Sequence, residues 1–164
     1  MYQINAATVN DIPVIQALAN KIWPPTYQSI LTPAQMEYML DMMYSANALH
    51  QQMTEKQHQF LLLLDDAQPI GYAAYSTTAT PNVYKLQKIY VDLNYQGKGA
   101  GKLLLQEVTD RVKKHGADIL ELDVNKYNKA KFFYEKQGFS VYTERDTDIG
   151  QGYLMEDFVM RKSI

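Results

Sequence analysis

No cysteine occurs among the 164 residues, which excludes disulfides, a thiolate nucleophile and a cysteine-ligated metal. Long apolar runs are missing too. The densest, Phe60-Leu61-Leu62-Leu63-Leu64, falls far short of the roughly 20 residues that span a bilayer. The first residues lack a basic segment followed by an apolar stretch. Basic residues are in slight deficit, 16 Lys and Arg against 18 Asp and Glu for a formal charge of −2, which argues against a broad nucleic-acid-binding surface. His50, His58 and His115 show no metal-ligand spacing. These absences point to a cytoplasmic protein with no membrane, nucleic-acid or metal partner.

Hydrophobic residues make up 46% of the chain and charged residues 21%, the balance of a globular rather than a disordered protein. The length suits a single domain over residues 1–164. A short strand, Tyr2-Gln3-Ile4-Asn5, precedes Thr8-Val9-Asn10-Asp11, a capping box with Asp in place of the usual Glu. Ile12, Ile15, Leu18, Ala19 and Ile22 then recur at helical spacing as far as Trp23-Pro24-Pro25, where tandem prolines without backbone donors are expected to end the helix. A second helix is expected from Pro33 through Met43, with Met36, Met39, Leu40 and Met43 as its apolar stripe, and a third over residues 46–56. Strand texture follows: Phe60 to Leu64, a turn at Asp65-Asp66-Ala67-Gln68, and Ile70 to Tyr75 returning as a hairpin. Further on come a strand over 84–93, an amphipathic helix over 101–115 stopped by Gly116, a strand over 119–124, a helix over 128–137, and strands near 141–145 and 153–160.

Between the strand-like Ile89-Tyr90-Val91 and the helical Leu103-Leu104-Leu105 lies Gln96-Gly97-Lys98-Gly99-Ala100-Gly101. Glycines at alternate positions let the backbone approach an anion without Cβ interference, and the first amides of a helix point outward without intrahelical acceptors. Lys98 and Lys102 add positive charge. A dinucleotide loop, Gly-x-Gly-x-x-Gly, fails because the sixth position from Gly97 is Lys102. A P-loop fails because Gln96 stands where it requires glycine and Leu103 follows the lysine. What remains, Gln-x-x-Gly-x-Gly, resembles the pyrophosphate-binding signature of the GNAT superfamily of acyl-CoA N-acyltransferases.

A second segment strengthens the resemblance: residues 124–139, with Asn128, Ala130, Phe133, Tyr134 and Gly138-Phe139, are similar to the family's Asn-x-x-Ala-x-x-Phe-Tyr-x-x-x-Gly-Phe, with Asn128 one place nearer the alanine than in that pattern. The C-terminal residues 148–160, with Trp23 to Tyr27 and the tyrosine- and methionine-rich second helix, resemble the branch holding spermidine/spermine N-acetyltransferases of the PaiA type. The resemblance implies an α/β (α+β) fold with a mixed, mostly antiparallel central sheet of about seven strands flanked by helices. It also implies a splayed strand pair, 84–93 and 119–124, that holds acetyl-CoA as co-substrate. Ile89, Tyr90 and Val91 would then hold the pantetheine arm and thioester, and Gln96, Gly97, Lys98, Gly99, Ala100, Gly101 and Lys102 the pyrophosphate. Asn128 and Lys131 would join them in binding the cofactor, and Tyr134 would reach the sulfur and protonate the leaving thiolate. Dimerisation through sheet edges or helices is common among such relatives, and a homodimer is expected on that analogy alone.

The acceptor amine poses the harder problem. With a pKa of about 10.4, roughly four molecules in ten thousand are neutral at pH 7, so something must accept a proton. Related enzymes often carry a glutamate in the strand before the loop, but here that strand reads Tyr84-Lys85-Leu86-Gln87-Lys88-Ile89-Tyr90. The substitutes are Glu121 or Asp123 on the neighbouring strand, Glu156 or Asp157 on opposite faces of the last one, or a water chain, helped weakly by Tyr90 or a carboxylate. Trp23, Tyr27, Glu37, Tyr38, Tyr44 and Asp41 are candidates for a cation-binding wall, since aromatic faces and carboxylates both favour ammonium. The leading expectation is an N-acetyltransferase acting on a small primary amine such as a polyamine. The alternatives are acetylation of a protein lysine or N-terminus, or a non-catalytic acyl-CoA-binding sensor.

Overall fold

The capping box expected at Thr8 forms: the Thr8 N–H donates to Asp11 Oδ2 at 2.8 Å and the Asn10 N–H to Thr8 Oγ1 at 3.3 Å. It closes a 3-10 turn, Val9–Asp11, that leads into helix α1, Ile12–Tyr27. The computed structural model describes all 164 residues. The other helices are α2 Pro33–Tyr44, α3 Ala46–Thr54, α4 Ala100–Lys114 and α5 Ala130–Lys136. The strands are β1 Tyr2–Ala6, β2 Gln59–Asp65, β3 Gln68–Thr77, β4 Val83–Val91, β5 Ile119–Asn125, β6 Ser140–Gly150 and β7 Tyr153–Ser163. They follow the order β1-β2-β3-β4-β5-β7-β6 in a seven-stranded sheet. Pairs β1/β2, β2/β3, β5/β7 and β6/β7 are antiparallel and β4/β5 is parallel, which makes the mixed, mostly antiparallel sheet that the resemblance implied. No helix is long and apolar enough to cross a membrane.

Three local expectations need correction. Helix α1 does not stop at Trp23-Pro24-Pro25 but continues to Tyr27. The prolines and the carbonyls of Asn20 and Lys21 that lose their donors lie on the exposed side, where water can replace the missing bonds. The Thr26 hydroxyl donates to the Ile22 carbonyl at 2.7 Å and the Gln28 N–H to that of Pro24 at 3.0 Å, while buried Trp23 and Tyr27 anchor the last turn. Strand β4 ends at Val91 rather than at 93, because Asp92 accepts the Asn94 N–H at 3.0 Å and folds Leu93–Tyr95 into a 3-10 turn. Strands β6 and β7 extend well past 145 and 160, since antiparallel pairing carries the charged, exposed residues of β6 along with it.

The chain divides into two compact units, Met1–Ser76 with Gln87–Val108, and Thr77–Leu86 with Thr109–Ile164. In the first, Ile15, Ile22, Trp23, Leu49, Leu63 and Tyr72 are almost fully buried. Gly71 of β3 lies so close to β4 that a Cβ there would sit 2.7 Å from the Tyr90 carbonyl oxygen and 3.3 Å from Val91 Cα. In the second unit the parallel pairing of β4 with β5 runs from Val83–Ile119 to Leu86–Leu122. Leu120, Leu122 and Met160 are its largest fully buried side chains.

Candidate functional site

In the first unit, the turn after β4 is built to leave donors unused. Gln96 Nε2 donates to the Val91 carbonyl at 3.3 Å and ties the loop back to the strand end. Gly97 and Gly99 have φ of +77° and +80°, with nothing within 4 Å of where a Cβ would stand. Such backbone favours glycine and leaves the main chain open to a ligand. The backbone N–H groups of residues 97–102 have no acceptor within the protein, and the first bond of α4 runs from the Leu103 N–H to the Gly99 carbonyl at 3.0 Å. Lys98 Nζ stands 5.6 Å from the Tyr95 ring centre, and Lys102 is exposed. Unused amides at a helix N-terminus beside two lysines fit an anion of the size and charge of a pyrophosphate.

Asp92 braces this loop from below. Burial pushes its carboxyl up, but the ion pair with Lys21 at 2.6 Å and the Asn94 N–H outweigh burial and hold it below the usual range.

Around Tyr90 the same unit gathers an aromatic cluster. The Trp23 ring lies 4.7 Å from Tyr27, 5.5 Å from Tyr44 and 5.8 Å from Tyr90, and Tyr72 packs 5.9 Å from Tyr44 and 5.6 Å from Tyr90. Two hydroxyl pairs link these rings, Tyr27–Tyr90 at 2.8 Å and Tyr72 donating to Tyr44 at 2.7 Å. Burial drives the Tyr44 and Tyr72 phenols well above 10, with neighbouring phenols adding to the effect, so both stay neutral at physiological pH. Lys88 is buried beside them, donating to Gln52 Oε1 at 2.7 Å and lying 5.5 Å from the Tyr44 ring centre and 5.6 Å from that of Phe60.

Of the expected cation-binding wall, Trp23, Tyr27 and Tyr44 are thus assembled. Glu37 and Asp41 lie on the exposed side of α2, and Tyr38 is half-buried. Glu37 borders a groove of about 450 Å³ lined also by Asn20, Pro24, Gln28, Leu31 and Met36.

In the second unit, Asn128 Oδ1 accepts the Ala130 N–H at 2.9 Å, opening the first turn of α5 and leaving the side-chain NH₂ for other partners. Tyr134 is buried, 5.5 Å from the Phe133 ring and 5.9 Å from that of Phe139. Lys131 Nζ lies 5.0 Å from the Phe158 ring centre and 4.0 Å from Glu135.

The carboxylates proposed as bases separate clearly. Glu121 is held by Arg161 at 2.9 Å. Asp123 Oδ2 takes both Lys85 at 2.8 Å and Arg145 at 3.4 Å, leaving Oδ1 buried without a donor. Asp157 is 5% exposed; burial first, then the charge of Asp123, pushes it up to about 6 against the pull of Lys85 and Arg145. Sequence reasoning found neither buried Lys88 nor Tyr72, and alternation alone did not choose Asp157 over Glu156. The one available signal was a charged residue inside an apolar strand.

Comparison with known proteins agrees with this geometry. Residues 26–154 match a family model described as an acetyltransferase (GNAT) domain. The chain is 30% identical over 159 residues to the spermidine N(1)-acetyltransferase of Thermoplasma acidophilum, covering 94% of this chain and 95% of the relative. It is 37% identical over 93 residues to the ribosomal protein bS18-alanine N-acetyltransferase of Haemophilus influenzae, covering 57% of this chain and 59% of that one. Among solved structures, the PaiA N-acetyltransferase of Thermoplasma acidophilum in complex with coenzyme A superposes with a TM-score of 0.84 at 28% identity. That match covers 100% of this chain and 99% of the other.

Proposed function

The chain belongs to the GNAT acetyltransferase family, and from that premise we propose that it transfers the acetyl group of acetyl-CoA to a primary amine of a small polyamine, by direct attack in a ternary complex. The observation that carries the donor side is the run of unused amides over residues 97–102 at the start of α4. Support for the acceptor comes from the spermidine N(1)-acetyltransferase relative.

The donor supplies its acetyl as a thioester, whose thiol, with a pKa of about 8.5, is a tolerable leaving group. In this reading residues 1–164 act as one acetyltransferase domain. The main chain of Ile89, Tyr90 and Val91 holds the pantetheine arm, and the amides of Gly97 to Lys102 hold the pyrophosphate with Lys98 and Lys102 screening its charge; Gln96, expected among these donors, instead gives its N–H to the Leu93 carbonyl at 3.2 Å and braces the loop. The Asn128 side-chain NH₂ donates to a pantetheine carbonyl, its oxygen being already engaged. Lys131 supplies further positive charge. Tyr134 delivers a proton to the departing sulfur. Trp23, Tyr27 and Tyr38, with Glu37 and Asp41, receive the acceptor's positive charge.

A panel of amines incubated with acetyl-CoA, followed by release of free CoA, tests the reading. Polyamines should turn over best, and tight acetyl-CoA binding with no turnover on any amine would sink it. A second reading, acetylation of a protein N-terminus, is favoured by the likeness to the bS18-alanine N-acetyltransferase. It predicts that an alanine-initiated peptide outcompetes spermidine.

A further inference from the structure

Side chains alternate along a strand, and directly paired residues share a face. Asp157 pairs with Asn125 of β5 and with Arg145 of β6, while Asp123 pairs with Val159 and Glu121 with Lys85 of β4. Lys85, Asp123, Asn125, Arg145 and Asp157 therefore stand on one face of this part of the sheet. The other face carries Leu122, Val124 and Phe158, and α5 with Tyr134 lies over it, since Lys131 sits above the Phe158 ring.

Asp123 and Asp157 are diagonal neighbours, about 7 Å apart by sheet geometry. The charged groups facing them from the adjoining strands are Lys85 and Arg145, with Asp146 also felt by Asp157 and Glu121 already neutralised by Arg161. Both cations bind the same Asp123 oxygen. That leaves Asp123 Oδ1 buried without a donor, and the carboxylate of Asp157, a residue 5% exposed, is acted on by burial and by neighbouring charges but by no hydrogen bond. Unused acceptors in a buried setting are costly to keep, and an ammonium group brings the N–H donors they lack.

We propose that Asp123 and Asp157 form the subsite that receives the ammonium group to be acetylated, as distinct from the acceptor's other positive charges, with Asp157 taking the protons from the nitrogen that attacks. The inference rests on the transferase reading above. Asp157 first takes one proton from the bound ammonium and passes it to solvent, which frees the nitrogen lone pair. That pair forms the new C–N bond as the C–S bond breaks, the second N–H proton then goes to the Asp157 carboxylate, the sulfur receives one from Tyr134, and solvent resets both groups. Asp157 and Tyr134 stand on opposite faces of this part of the sheet, so neither takes the other's proton. Burial and the nearby Asp123 charge keep Asp157 a stronger base than an exposed carboxylate.

The test combines pH profiles of kcat/KM for spermidine with titration of aspartate carboxyl carbons by NMR in the unliganded protein. Acetyl-CoA affinity serves as the measure of folding. Asp157→Asn should lose at least about a hundredfold in kcat, bind acetyl-CoA normally, and lose both the acid limb of the profile and one carboxyl resonance titrating above the usual range. Asp123→Asn should move that limb and resonance to lower pH by removing a like charge, and Lys85→Gln should move them to higher pH by removing an opposite one. Wild-type kcat and pH profile in Asp157→Asn, or shifts of the wrong sign in the other two variants, would overturn the subsite alone. A wild type that binds acetyl-CoA but acetylates no amine would overturn the transferase reading, and the subsite with it.

Discussion

Ionising Asp157 costs this fold stability at neutral pH, and Asp157→Asn should recover it. The carboxyl is 5% exposed and raised to about 6, against about 3.9 in an unfolded chain. A displacement of about two units corresponds to about 3 kcal/mol. Because the folded pKa is the higher one, the folded chain binds more protons between about pH 4 and pH 6. Wild-type stability from this group therefore falls as pH rises through that window and stays low above it. Asparagine occupies nearly the same volume without the charge. At pH 8 the variant should be more stable by about 3 kcal/mol, or roughly 6–12 °C in Tm for a chain of this size, and at pH 4 the two should nearly coincide. Thermal melts of both proteins at the two pH values measure the difference, and the other titrations largely cancel from it. A gap that does not change with pH, or one that favours the wild type at pH 8, would refute the reasoning.

Gly71→Ala should destabilise by about 1–3 kcal/mol and weaken acetyl-CoA binding in calorimetry, because its Cβ meets main-chain atoms of Tyr90 and Val91 rather than a movable side chain. Tyr134→Phe should leave Tm close to wild type, since the ring still fits between Phe133 and Phe139, while kcat falls tenfold to a thousandfold. Lys21→Met should cost about 2 kcal/mol in denaturant melts by stranding the buried Asp92 carboxylate. That loss should be full at neutral pH and vanish as pH drops below the ordinary carboxylate range, because the Asp92 pKa is lowered in the fold.

The glycine turn between β4 and α4 was legible because its signals are local: glycines at 97, 99 and 101, a strand before and an amphipathic helix after. The Thr8 capping box was readable for the same reason. What escaped depends on partners remote in sequence. Lys88, in a strand where Lys85 and Lys88 flank Leu86 and Gln87, reads as a solvated residue until Gln52, Tyr44 and Phe60 close around it. The Asp157 environment exists only once β5, β6 and β7 are in register. The two prolines misled because their penalty depends on whether the freed carbonyls face water, and here they do. The buried carboxylate without a hydrogen bond also breaks the usual pattern of polar satisfaction, the kind of local conflict that functional sites retain at a cost in stability.

Acetyl transfer itself is tested most directly by mass spectrometry of spermidine incubated with the protein and acetyl-CoA labelled in its acetyl group. The account predicts singly acetylated spermidine carrying the label, in amounts equal to the free CoA released. Unmodified spermidine alongside bound, intact acetyl-CoA, with no other amine acetylated in its place, would contradict it.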